Sequence, residues 1–599
     1  MKKGLLTTGT LALLTFATVN YLGTARQIEL PETSPWRPVS VNVAAGTSPV
    51  IPDNRRFFTL HGDTHNSDEL GIAASPDVEL DWTTEPDMFI AEGPTEDVDG
   101  NLYFSPIGPK EKLILVSLDP LTGERRWAIP SSSALLPAGG GAPLILNDPN
   151  NPGKQLIYIG VYDRAVAVRQ NGDIVWDVTT GLQEPALKAG DLDARHVFGL
   201  NYHVQADALV GLTAAGDIYV LDRATGTPLL SAPYTIEGAP GVSDTGGPGP
   251  RLTARVDSLL ADTFGPLDFN LGRFSSVLQA LFGGGYKVSN YFAIDKNSGR
   301  IFVAATSPDG TDGKLDGLSA YGSLYAYDLR RTEMGHYELI TAGRQDFTGG
   351  TGASPALSAD GSRVYTADND QHVLAFDRDL KPIWSIKLPE NIPASISVSS
   401  ENNELYAVSL KGIYKLIDLG DKAKLEWVSQ LAMYPEFGPY QNFNMTTATI
   451  VANGIAVTVG AGLTDGSFTL PMKFGVGLLD RETGALVSYN PAREESVSIT
   501  AVAGDGGYYL ANSPVRRAVA RALFGPLVRP LTGGISRYKV INPELLASQA
   551  ACAGQKRLLA SQSATEPEQQ AAFQKHQQIL MAQARMNGHP EAGITSGCL

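Results

Sequence analysis

The densest run of side chains able to do chemistry is His61-Gly62-Asp63-Thr64-His65-Asn66-Ser67-Asp68, with two imidazoles and two carboxylates in eight residues. Such donors at such spacing suit a metal ion held by His61 and His65. The alternative is a polar segment whose side chains hydrogen-bond local turns. Asp309, Asp312 and Asp316 lie in a Gly-rich loop, Ser307–Gly322. Hard oxygen ligands there suit calcium, although the run lacks a bidentate Glu; a solvated turn is the competing role. His196 and His203 flank one apolar strand, each either a buried, hydrogen-bonded imidazole or a group facing a central space. The two cysteines of the chain are Cys552 and Cys598. In an oxidising compartment they are expected to pair, with two unpaired thiols the alternative. A Gly-x-Ser-x-Gly elbow, a phosphate loop and a His-Glu-x-x-His helix are all absent, and no catalytic residue is assigned.

The elements that would position these groups repeat. Leu118-Asp119-Pro120-Leu121-Thr122-Gly123 returns as Leu221-Asp222-Arg223-Ala224-Thr225-Gly226 and as Leu479-Asp480-Arg481-Glu482-Thr483-Gly484. Each closes a hairpin between short apolar strands. Looser copies end at Asp328 and Asp377. A period of roughly 40–60 residues with several strands in each is the pattern of a β-propeller. The 63 glycines and 38 prolines supply its many tight turns. Strand pairs such as Leu156–Ile159 with Ala165–Val168, or Val364–Ala367 with His372–Phe376, give a count of eight blades, with seven the alternative. The eighth lacks an outer strand, and Val78–Trp82 has no blade of its own. Borrowing that strand would close the ring and remove two open sheet edges. The expected propeller spans residues 57–541, after an extended linker over 26–56.

The hairpins ending in Asp-x-x-Thr-Gly-x-x-x-Trp, as at Asp119 to Trp127, resemble those of the quinoprotein alcohol dehydrogenase-like propellers. That superfamily includes pyrroloquinoline quinone dehydrogenases and non-enzymatic outer-membrane assembly propellers. The resemblance implies an all-β ring in which the Trp packs between blades and the Thr-Gly makes the outer turn. It also implies a comparison of cofactor sites. Its quinone enzymes commonly carry two adjacent cysteines beside the quinone, and many add Cys-x-x-Cys-His; this chain has neither. A member without the quinone site is expected, with pyrroloquinoline quinone and calcium as the alternative cofactors.

The formal net charge of -16 argues against a nucleic-acid groove and against broad docking to anionic lipid. Met1-Lys2-Lys3 followed by the apolar run from Leu5 to Leu22 has the form of a secretion signal cleaved after Ala25; an uncleaved membrane anchor is the alternative. Either places the body in the periplasm or outside the cell. Two insertions break the repeat, residues 238–285 and 513–534, and propeller topology puts both on one side of the disc. In the first, Leu252, Val256, Leu259, Leu260 and Phe264 share one helical face, and Phe274, Leu278 and Phe282 share a second. In the other, Val519, Leu523, Phe524 and Leu527 align. These form an apolar docking face for a hydrophobic ligand, an envelope protein or a membrane; the alternative is a cap of helices packed on one another. A helical hairpin is expected over 542–599. The reading is thus a non-catalytic envelope scaffold. The alternatives are a quinone-dependent dehydrogenase, or a hydrolase or lyase acting on an apolar substrate beneath the helices.

Overall fold

The computed structural model describes residues 50–543 and Leu546, apart from 108–112, 131–140, 184–195, 242–249, 265–286, 334, 351–352, 410, 431–436, 438–440, 443–445 and 465–468. Eight antiparallel sheets stand radially around one axis. In sequence order they begin at residues 95, 144, 197, 293, 356, 397, 441 and 501, and are called blades 1 to 8. Seven have four strands. In blade 7 the innermost position is shared by two short strands, Gln441–Asn442 and Thr449–Val451, both paired to Gly454–Thr464.

The second and third strands are buried on both faces because each sheet is sandwiched between two others. Leu156–Ile159 and Ala165–Val168 are buried throughout. Outer strands alternate instead. In Pro382–Lys387 the fully buried member is Trp384, while Pro382 and Ser385 are exposed. This half-buried rim is what a period-2 pattern describes.

Blade 8 takes its outer strand from ahead of blade 1. Val78–Thr84 pairs antiparallel with Ile535–Val540, from Val78 opposite Val540 to Thr84 opposite Ile535. Ring closure therefore rests on a ladder of main-chain bonds between distant parts of the chain, and eight blades replace the seven-blade alternative.

Tryptophans then lock neighbours together. The indole N–H of Trp82 donates to Pro120 O, Trp127 to Gln170 O, Trp176 to Arg223 O and Trp427 to Arg481 O, all at 3.0–3.3 Å. Their acceptors sit in turns of the next blade. In the first repeat turn Asp119 Oδ1 accepts from the Leu121 and Thr122 amides at 2.9 Å. Gly123, with φ +70°, then lies under the Trp82 ring so closely that no side chain fits there.

The two inserted helices that can be described are α1, Pro250–Phe264, and α2, Val515–Phe524, the latter ending in a 3₁₀ turn, Gly525–Leu527. They pack against each other beside Phe89, Ile107 and Leu531. The second expected helix, with Phe274, Leu278 and Phe282, lies outside the described residues, as do Cys552, Cys598, residues 1–25 and nearly all of the tail. Of that tail, Pro543 and Leu546 are helical, and Leu546 is buried with Ala73 and Ala452. Residues 50–56 do not run free as a linker: Val50 O accepts from Asn147 N, and Arg56 pairs with Glu96. Among the described residues no helix is long and apolar enough to cross a membrane.

Candidate functional site

Residues 54–75 form a plug at one end of the central channel and touch all eight blades. Backbone carbonyls do most of the docking. Phe57 O accepts from Glu96 N in blade 1, Phe58 O from Ile145 N in blade 2, and Thr64 O from Ile294 N in blade 4. His65 O, Ser67 O and Asp68 O accept from Leu357, Val398 and Ile450 of blades 5, 6 and 7. The Asn201 side chain of blade 3 donates to Thr64 O, and Ser75 N donates to Gly506 O of blade 8. A central channel exposes the unpaired edge of every innermost strand. The plug supplies the missing acceptors, which explains why so polar a segment can be buried.

That segment contains His61 and His65, and its geometry decides what they can do. Lys296 N–H donates to His65 Nε2 at 3.0 Å, so Nδ1 carries the proton and reaches Ser358 O at 3.1 Å. His61 Nδ1 lies 2.9 Å from Asp68 Oδ1, and its Nε2 lies 3.3 Å from Ser354 Oγ. Neither ring retains a lone pair for a metal: His61 is held between Asp68 and Ser354, and His65 between Lys296 N and Ser358 O. The correction to the metal reading is therefore that both imidazoles fasten the plug. Ser354, His61 and Asp68 stand in series like a nucleophile, base and orienting acid. Ser354 is 0 % exposed, however, so no carbonyl can approach its hydroxyl.

Above the plug the channel forms a small blind well with about 70 Å³ of room inside it. Leu60 and His61 lie at its floor. The wall comes from residues just ahead of, or at the start of, innermost strands: Glu92 before blade 1, Phe198 in blade 3, Asn290 before blade 4, Ala394 before blade 6, Thr446 between the two short inner strands of blade 7 and Ser498 before blade 8. The well thus opens on the face from which the chain enters each blade. Among the described residues that line it, Glu92 is the sole carboxylate, and no Lys or Arg joins it. Glu92 Oε2 accepts from Ala142 N at 3.1 Å, and Oε1 lies 3.4 Å from His196 Nε2.

This donor set does not suit pyrroloquinoline quinone with calcium. The quinone is a tricarboxylate, and here it would meet Glu92 with no Lys or Arg among the described lining residues to pair it. Among the described residues no three His, Cys, Asp or Glu groups gather closely enough to hold a metal. His196 is buried against Phe198, ring centroids 4.7 Å apart, behind Glu92. His203 is elsewhere, at the far end of its strand, where Nδ1 accepts from Ala206 N; burial lowers its pKa to about 4 and keeps it neutral.

The mouth of the well shares its face with the insertions. Ala239 N donates to Ser307 O and Ser319 N to Pro240 O, which joins the 238–285 insertion to the Ser307–Gly322 loop. In that loop Asp312 Oδ1 accepts from Lys314 N and Asp316 Oδ1 from Leu318 N, while Asp309 is exposed. Asp312 and Asp316 thus serve separate turns.

The α2 helix is rooted by Glu495, which accepts from the Arg517 amide at 3.2 Å and from the Arg516 amide. Carboxylate oxygens at this position complement the helix N-terminus. Glu494 pairs with Arg517 at 2.6 Å, and burial pushes it up to about 7 against that pull.

The expected apolar face divides in two. Val256, Leu260 and Phe264 are buried, Phe264 edge-on to Phe89 at 5.7 Å, with Leu259 and Val519 partly covered. For these residues the cap reading is what the packing shows, because one stripe of α1 is spent against α2. Leu523 and Phe524 remain 47 % exposed and Leu527 85 %. Nothing about the side chain of Leu252 is described.

Sequence reasoning missed Glu92 and Thr446. It also missed a buried ion cluster between blades 6 and 7. There Glu404 meets Arg481 at 2.6 Å and Lys415 at 2.9 Å, and Arg481 shares Ser399 with Glu69 of the plug. A Lys in the apolar strand Ile413–Leu416 was the available signal.

No known family model matches the chain, and no curated protein matches it. Solved structures do. A europium-containing methanol dehydrogenase is 12 % identical with a TM-score of 0.46, over 82 % of this chain and 98 % of that one. BamB from Moraxella catarrhalis is 11 % identical with a TM-score of 0.39, over 78 % and 98 %. The Cps50 (Swd1) β-propeller domain of Myceliophteria thermophila is 10 % identical with a TM-score of 0.36, over 64 % and 91 %. At such identities nothing about activity carries over.

Proposed function

We propose that this chain is a non-catalytic binding scaffold of the cell envelope, and that its helix-bearing face docks an apolar surface of a partner protein. The observation that carries this reading is the tip of α2. Leu523, Phe524 and Leu527 stand out from the disc beside exposed Arg529, on a helix held rigidly by Glu494 and Glu495. Aromatic and aliphatic anchors beside Arg are the composition of interface hot spots. A net charge of -16 favours a protein partner over an anionic bilayer. Envelope placement rests on the amino-terminal apolar segment.

A photo-crosslinking residue at position 527 of the full chain in its native host tests docking. The expected result is one discrete adduct, lost in the Leu523→Ser/Phe524→Ser/Leu527→Ser variant and absent when the crosslinker replaces exposed Leu121 on the plug side. Equal adducts from both positions would refute it. Fractionation of the tagged full chain tests the compartment.

A further inference from the structure

We propose that the blind well is a binding site for a small organic cation, a primary alkylammonium, with Glu92 as its counter-ion. This does not depend on the docking reading. Glu92 is the sole carboxylate, Lys or Arg among the described lining residues, and its side chain keeps 11 % of its surface open. Leu60, Phe198, Val497 and Ile499 surround it with low-dielectric surface, in which a carboxylate and an ammonium attract more strongly than in water. An aromatic wall adds favourable contact for a cation.

One orphaned group points the same way. Thr446 lines the well, is buried, and its Oγ1 has no hydrogen-bond partner. Buried polar atoms are normally satisfied, so an unpaired one on the wall of a cavity indicates a polar ligand. His196 stands behind Glu92, its Nε2 3.4 Å from the carboxylate, and so reports on the state of that group. An ammonium has three donors and no acceptor, which matches a carboxylate and a hydroxyl that can both accept. Among the described lining residues, an anion would meet Glu92 without a Lys or Arg to pair it. The formal charge of -16 would also draw cations toward the mouth.

The probe is n-butylammonium, titrated into the full chain at low salt by calorimetry, with the histidine ring resonances followed by NMR. Saturable binding with a Kd in the millimolar range is expected, together with a shift of the His196 signals. Butyrate and 1-butanol should bind at least about tenfold more weakly, and Glu92→Gln should lose a similar factor for butylammonium. Thr446→Val, which leaves the charge in place, should weaken binding by about threefold and serves if Glu92→Gln fails to fold. The proposal is overturned if butylammonium and butyrate bind alike, if a folded Glu92→Gln keeps wild-type affinity, or if no saturation occurs by about 50 mM.

Discussion

The two ends of the channel are built from opposite materials. At one end a polar strand of chain is stitched to all eight blades and every side chain that looks chemical is already bonded. At the other, two helices stand beside an open well and present apolar residues to solvent. The first end shows that a cluster of His, Asp and Ser can be wholly structural when its hydrogen bonds are all internal. The second keeps few polar groups, and Thr446 Oγ1 among them is without a partner.

The contrast can be broken most forcefully at the ion cluster that ties the plug to blades 6 and 7. Arg481→Met leaves Glu404 with Lys415 alone in a fully buried site, and a loss of roughly 3–5 kcal/mol is expected in chemical denaturation. A loss below about 1 kcal/mol would mean that plug and ring are not coupled there.

Acid should reveal the same cluster. Burial alone pushes the Glu404 carboxyl up, but Arg481 and Lys415 together hold it down at about 2. Its folded value is thus below its ordinary 4.5, so the stabilisation is complete above that pH and is lost as pH falls from 4.5 towards 2. Glu404→Gln should flatten this window by about 2 kcal/mol in denaturation curves compared between pH 5 and 3.

The smallest effect is expected at the open end. Leu523→Ser, Phe524→Ser and Leu527→Ser together should change stability by less than about 1 kcal/mol, since these side chains are already largely in water. A large loss of melting temperature would show the α2 tip to be core, and would erase the distinction between the two ends. By contrast, removing α1 would uncover Phe89 and the buried face of α2.

The ring itself was legible in the chain. The Asp-x-x-Thr-Gly turns mark where Asp119, Asp222 and Asp480 organise hairpins, because an Asx turn is a local event that needs only neighbouring amides. Val78–Trp82 announced itself as a spare strand for the same reason: its alternation had no partner nearby. The candidate site was far less readable. Glu92, Phe198, Thr446 and Ser498 are scattered over some four hundred positions and share no spacing, and they meet only once eight sheets have closed around an axis.

The sequence alone determined the propeller architecture, the closing strand, the turn chemistry and the side of the disc on which the insertions emerge, since each follows from local propensity and strand periodicity; the choice of eight blades over seven needed the closed ring. Tertiary structure alone decided that His61 and His65 fasten a plug, that Val256 and Phe264 are covered while Leu527 is not, and that one carboxylate stands in a shared well. Periodicity shows that a helix has an apolar stripe or that a segment is polar; what lies against it depends on residues brought near by the fold.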